Sequence, residues 1–190
     1  MRLYRIAGGL ALLLALGSTA HAAEVTALEL VKLGNDYVGK DSRDKIVQIR
    51  SEKSIASLTP AIWYIVYYDA DATFKATEVK FGAGKKMKVT RPLRMLEPVT
   101  GNDKMLERAK IKVDSDKAIS TATAEPLLKP LKLLATQVWL ERGDAGPVWK
   151  VRLWAAKLKN PTDDADVGDV YISTEDGKVV RSNLHINSVD

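Results

Sequence analysis

The run Ile62-Trp63-Tyr64-Ile65-Val66-Tyr67-Tyr68 constrains the fold of this chain more than any other stretch. It holds no charge, glycine or proline, and its β-branched and aromatic residues suit a half-buried pleated surface. Strand side chains alternate, so Tyr64 and Tyr68 share one face and Tyr67 takes the other. The flanking sequence supplies partners. Residues 45–52 alternate through Ile46, Gln48 and Ile49 as a preceding strand. Asp69-Ala70-Asp71 turns the chain into a returning strand over 73–81, and Gly82-Ala83-Gly84 turns it again into 85–90. Upstream, Thr26 and Glu29 form a capping box for a helix over 26–38, with Gly39 as its stop.

The second half repeats this order. Two prolines and a Thr-Gly-Asn-Asp cluster mark residues 92–103 as a linker, and 105–113 is a short strand or an irregular lead-in. Asp114 or Ser115 caps a helix over 116–124, limited by Pro126 and Pro130. Strands follow at 132–141, 147–157, 167–173 and 178–183, with a polar hairpin loop at 160–166 and a Glu175-Asp176-Gly177 turn. Pro60-Ala61-Ile62-Trp63 lies opposite Pro147-Val148-Trp149, and Gly84-Lys85-Lys86-Met87 opposite Gly177-Lys178-Val179-Val180. Several landmarks agreeing at one long period point to a duplicated pattern. Trp63 and Trp149 are expected to anchor two equivalent cores.

These motifs carry a resemblance. Each half, the second more clearly, resembles a PepSY-type domain, through the helix Ser115 to Ala124, the strand Leu133 to Glu141, the strand opening Val148-Trp149-Lys150-Val151, and the turn Thr174-Glu175-Asp176-Gly177-Lys178-Val179-Val180. The resemblance implies a small α+β unit that inhibits or chaperones a protease, or binds a protein partner, outside the cytoplasm. Two departures limit it: Pro126 and Pro130 shorten the helix, and no peptidase domain follows. A propeptide role in cis is not expected. The fold expected is α+β, two tandem helix-plus-antiparallel-sheet units over 23–91 and 104–190 joined by the 92–103 linker.

The first 22 residues read as a cleavable signal peptide. Arg2 and Arg5 precede an apolar run, and Ala20-His21-Ala22 offers an A-x-A cleavage site. The apolar run from Ile6 to Leu16 falls well short of the ~20 residues needed to span a bilayer. Without the leader, the protein is expected to be periplasmic or secreted, with no transmembrane segment. Arg2 and Arg5 also supply two of the five net positive charges, and the remaining Lys and Arg are interleaved with Asp and Glu. Nucleic acid is therefore not an expected partner. The chain has no cysteine, which excludes disulfides, thiol catalysis and cysteine-ligated metal.

Chemistry-bearing residues are sparse. Past the leader there is one histidine, His185, near Ser182, Ser188 and Asp190 in a terminal tail, a poor place to preorganise a nucleophile. In the Asp163–Asp169 loop, Asp164, Asp166 and Glu175 match the first, third and twelfth positions of a calcium loop. Asp169, however, stands where the sharp turn needs glycine, so a solvated hairpin tip is the better account. Gly82-Ala83-Gly84-Lys85-Lys86 precedes a strand and not a helix, so a β-turn fits better than a phosphate site. No catalytic residue, metal ligand or cofactor is assigned.

Two surfaces remain for binding. Lys80, Lys85, Lys86, Lys88, Arg91 and Arg94 form the densest basic run. Tyr67 and the other aromatics, Tyr64, Tyr68, Trp139 and Trp154, lie on strands whose alternation leaves one face either exposed or packed beneath a helix. The function expected is a non-enzymatic module that binds a protein in the cell envelope as inhibitor, chaperone or sensor accessory. The competing readings are a carrier of a small apolar ligand held between helix and sheet, and a hydrolase built from scattered carboxylates.

Overall fold

The structure, a computed structural model, describes residues 25–92 and 105–189. Two short helices, α1 (Ala27–Gly34) and α2 (Ser115–Thr123), each precede four strands. The first set is β1 (Ile46–Ser51), β2 (Ile62–Tyr68), β3 (Ala76–Gly82) and β4 (Lys85–Thr90). The second is β5 (Leu133–Arg142), β6 (Pro147–Ala156), β7 (Asp164–Ser173) and β8 (Val179–Leu184). All eight join one antiparallel sheet in the order β4-β3-β2-β1-β5-β6-β7-β8.

This corrects the expected fold class. The protein is not a pair of α+β units but a β-rich fold dominated by one sheet. A single seam makes the difference. β1 and β5 each begin a four-strand meander and would otherwise present a bare inner edge. They pair instead, with Ile49 opposite Leu140 and Arg50 opposite Trp139. Where the backbone ladder gives out, serine side chains extend it. Val138 N–H donates to Ser51 Oγ (2.9 Å), Thr136 N–H to Ser54 Oγ (2.8 Å), and Ser54 N–H to the Thr136 carbonyl (2.8 Å). These groups are buried, where an unpaired amide is costly.

Helix α1 is shorter than its sequence pattern suggests. Glu29 does close a capping box, accepting from Thr26 N–H at 2.9 Å. The other end stops at Gly34, and Asn35–Tyr37 continues as a single 3-10 turn. Asn35, still helical in its backbone angles, is tied to Asp44 by paired side-chain and backbone hydrogen bonds, each 3.0 Å. α2 ends before Pro126, as expected. At the start of both helices the capping groups are shared. Asp114 Oδ1 accepts from Ser115 N–H (2.7 Å) and from Leu28 N–H of α1 (3.0 Å), while Ser115 Oγ accepts from Ala27 N–H (3.0 Å). The two N-termini, with their partial positive charge, therefore meet around one carboxylate.

One face of the sheet packs beneath the helices. Trp63, Ile65, Tyr67, Val79, Phe81, Val138, Leu140, Trp149, Val151 and Ile172 fill a single core with Leu30, Val31, Ala118 and Ala122. The two tryptophans sit as landmarks in it, each indole donating to a backbone carbonyl: Trp63 to Pro60 and Trp149 to Val113, both at 2.8 Å. The loop expected at 160–166 is partly strand, because β7 begins at Asp164 and pairs there with Ala156. The leader and, apart from Pro92, the linker lie outside the described residues. No described helix is long and apolar enough to cross a membrane.

Candidate binding face

Alternation along the strands sends a second set of side chains to the face away from the helices. In the first half these are Arg50, Tyr64, Glu78 and Lys80; in the second, Trp139, Lys150, Arg152, Trp154, Asp166, Asp169, Tyr171 and Arg181. None of these twelve is buried by the standard of the core; each is half-exposed or open. The set crosses the β1–β5 seam without interruption, since Arg50 stands directly opposite Trp139.

Cations and rings interleave on this face. The Arg50 guanidinium lies 3.9 Å from the Tyr64 ring centroid and the Lys80 ammonium 4.9 Å. Arg181 covers Tyr171 at 3.9 Å, Lys150 lies 5.3 Å from Trp139, and Lys53 lies 4.6 Å from Trp154. Each such contact is worth about 0.5–1 kcal/mol at an exposed site.

The carboxylates are held by the same cations. Arg50 pairs with Glu78 at 2.7 Å, Lys80 with Glu52 at 3.1 Å and Lys150 with Asp169 at 3.3 Å. Arg152 grips Asp166 through Nε at 2.7 Å and again through its terminal nitrogen. A hydrogen bond from the Tyr64 hydroxyl, reinforced by Lys80, holds Glu52 below the usual carboxylate range. Burial pushes Asp166 upward, but the Arg152 hydrogen bond and the Gly168 amide outweigh it and leave the group lowered. Glu52 and Asp166 therefore favour the ionised form, and each has a cationic partner.

The structure separates the residues that the sequence brings forward for binding. Lys80 is on the open face, and Lys88 stands opposite it in register. Lys86 instead reaches toward the Tyr37 ring at 5.2 Å, and Lys85 sits at the turn opposite Gly82. Arg91 folds back onto Asp69 at 3.2 Å. Arg94 lies outside the described residues. The register shift between the Lys80–Lys88 and Phe81–Lys86 pairs, with the fold-back of Arg91, thus divides the described part of the basic run.

Tyr67 is a correction. It is fully buried on the helix side and its hydroxyl donates to the Val31 carbonyl at 2.8 Å, so it is a core residue and offers no partner surface. Burial raises its phenol well above the usual tyrosine value. Its strand neighbour Tyr64 is the one that faces outward.

The remaining motifs resolve into local structure. Asp164 and Asp166 lie on β7, held by Lys53 and Arg152, while Glu175 pairs with Lys112 at 3.3 Å in the turn beyond. Among the described residues no group of three or more His, Asp or Glu could hold a metal. The Ser188 hydroxyl donates to the backbone carbonyls of Asp166 (2.7 Å) and His185 (3.0 Å), not to the imidazole. Gly82-Ala83-Gly84 is the β3–β4 turn.

The residues that sequence reading missed are Arg50, Lys53, Lys150 and Arg152. The signal for Lys150 and Arg152 was the pattern Lys150-x-Arg152-x-Trp154, one face of a strand read residue by residue. At the rim of the open face, a cleft of about 360 Å³ lies between the 143–146 turn and β8, with Val148, Tyr171, Val180 and Arg181 in its walls. No protein-family model matches the chain. No curated protein and no solved structure shows significant similarity to it.

Proposed function

We propose that this protein is an exported, non-enzymatic, PepSY-like module that holds a protein partner against the open face of its sheet. The observation that carries the reading is the continuous field of cation-covered aromatic rings across both halves. Trp, Tyr and Arg are the residues that dominate the energetics of protein interfaces. Here their ring faces are already occupied by Arg50, Lys80, Lys150 and Arg181. A sugar or base that must stack on a bare ring would have to displace a cation first. A protein surface can instead meet ring edges, guanidinium groups and carboxylates together.

Scale favours the same class. Seven spacings of about 4.8 Å across eight strands, and roughly 20–30 Å along them, give a face of about 700–1,000 Å². That is comparable to the ~800 Å² each partner contributes to an ordinary protein interface. A small apolar ligand would need a space between helices and sheet, which Trp63, Tyr67, Phe81, Trp149 and Leu30 occupy. Ion pairs and cation–ring contacts also hold the side chains in place before binding, which lowers the ordering cost on association.

A photo-crosslinking amino acid placed at Tyr64, Trp139 or Tyr171, in cells making the protein, tests the reading. A discrete protein adduct is expected from those positions. None is expected from Leu33 or Leu127, which are exposed elsewhere. Adducts from all five positions alike, or from none, would refute it.

A further inference from the structure

The sheet ends in two edges of different character. β4 carries Lys85, Lys86 and Lys88 among its six residues, and charged lysines are how natural sheets block pairing with another chain. β8, Val179-Val180-Arg181-Ser182-Asn183-Leu184, has one cation, and both of its valines are exposed, Val180 at 56 %. His185 N–H donates to the Val167 carbonyl at 3.0 Å. In an antiparallel ladder, hydrogen-bonded pairs alternate with non-bonded ones. Counting back from His185, Asn183 and Arg181 bond to β7, while Ser182 and Leu184 turn their N–H and C=O groups outward. Beyond Leu184 the chain follows the start of β7, with Val189 accepting from Leu158 N–H at 2.7 Å, and so leaves the β8 edge open among the described residues.

We infer that β8 is a self-association edge, pairing antiparallel with β8 of a second copy about a two-fold axis at Ser182. Charge selects this arrangement among the edge pairings that two copies can make. β4 against β4 sets lysines opposite lysines. β4 against β8 sets lysines toward Arg181. β8 against β8 centred on Ser182 places Arg181 opposite Asn183 of the second copy, and the backbone groups that cross the axis are the outward ones. A register centred on Arg181 would instead bring two guanidinium groups face to face. The pairing is isologous and closes at two copies. Both free edges of the resulting sixteen-stranded sheet are then the lysine-bearing β4, which stops further growth.

Sedimentation equilibrium on the purified protein, from micromolar concentration upward, tests this. Twice the chain mass is expected at high concentration, falling toward one on dilution. Ser182→Pro removes an outward N–H and sets a ring in the seam while sparing the β7 bonds, so it should give a folded monomer by circular dichroism. Val180→Lys adds the charge that β4 already has and should do the same, deciding the matter if the proline variant does not fold. Lys88→Glu, on the other edge, should leave the dimer intact. A wild-type protein that stays at single-chain mass overturns the inference, even if its Ser182 and Leu184 amides are protected from exchange, since its own chain then covers the edge. A dimer that survives both β8 substitutions overturns it equally.

Discussion

Gly34 and Tyr67 show how much one atom decides. Gly34 has ordinary helical backbone angles, so the position makes no conformational demand for glycine. Its reason is space: a Cβ there would lie 2.1 Å from the Tyr67 hydroxyl. Alanine is the better helix former by roughly 1 kcal/mol, yet Gly34→Ala should destabilise the protein by about 1–3 kcal/mol through overpacking. Tyr67→Phe alone should cost about 1 kcal/mol, the net worth of a buried hydrogen bond. In the double variant the two losses should fall well short of additive, because the clashing atom is gone. Urea denaturation of the four proteins reads the coupling directly. Gly168 is the opposite kind of glycine. Its φ of 107° lies where side-chain-bearing residues are strained, and a Cβ would meet the Asn183 carbonyl at 2.1 Å.

At the scale of elements, the seam between β1 and β5 is where the backbone ladder is thinnest and side chains do the pairing. Ser51→Ala should leave the Val138 amide buried and unpaired, costing about 1–3 kcal/mol. Val138 should then exchange its amide hydrogen much faster than in the wild type. Thr136→Val removes a different bond, from the threonine hydroxyl to the Leu58 carbonyl at 2.6 Å, and should leave Val138 exchange unchanged. The seam also marks the limit of sequence reading. The strand around Trp63, the capping box at Thr26 and the turn at 82–84 were legible because each is a local pattern of residue types. The pairing of Ile49 with Leu140 was not, since nothing at either position names a partner across the chain. Asp164 to Asp166 misled for a related reason: acids read as loop residues until their cations, Lys53 just beyond β1 and Arg152 on β6, are in place. Tyr67 and Tyr64 differ only in parity, and which parity is buried depends on where the helices lie.

For the whole molecule, the network of paired acids governs behaviour in acid. Asp69 is pushed up by burial, but the Thr77 hydroxyl, the Asp71 amide and Arg91 together leave it below the usual range, as Arg152 and the Gly168 amide do for Asp166. A carboxyl group whose value is lower in the folded than in the unfolded chain contributes stability fully above about pH 4, the unfolded aspartate value. That contribution is lost as the pH falls through the folded value. Stability should therefore decline as the pH falls below about 4. Asp166→Asn should be less stable than wild type at pH 7 and approach it as the pH drops, giving a shallower curve. Thermal melts across pH 2–7 check this, and parallel curves for the two proteins would contradict it.

The carboxylate of Asp114, set between the starts of two helices, has a consequence for the order in which the chain can finish folding. A ribosome releases the first half with the amides of Ala27 and Leu28 still lacking their acceptors and with β1 still bare along one side. Both wants are met only by residues from Asp114 to Leu140, made more than sixty positions later. The early half is thus kept waiting, since these bonds cannot form before its sequel arrives.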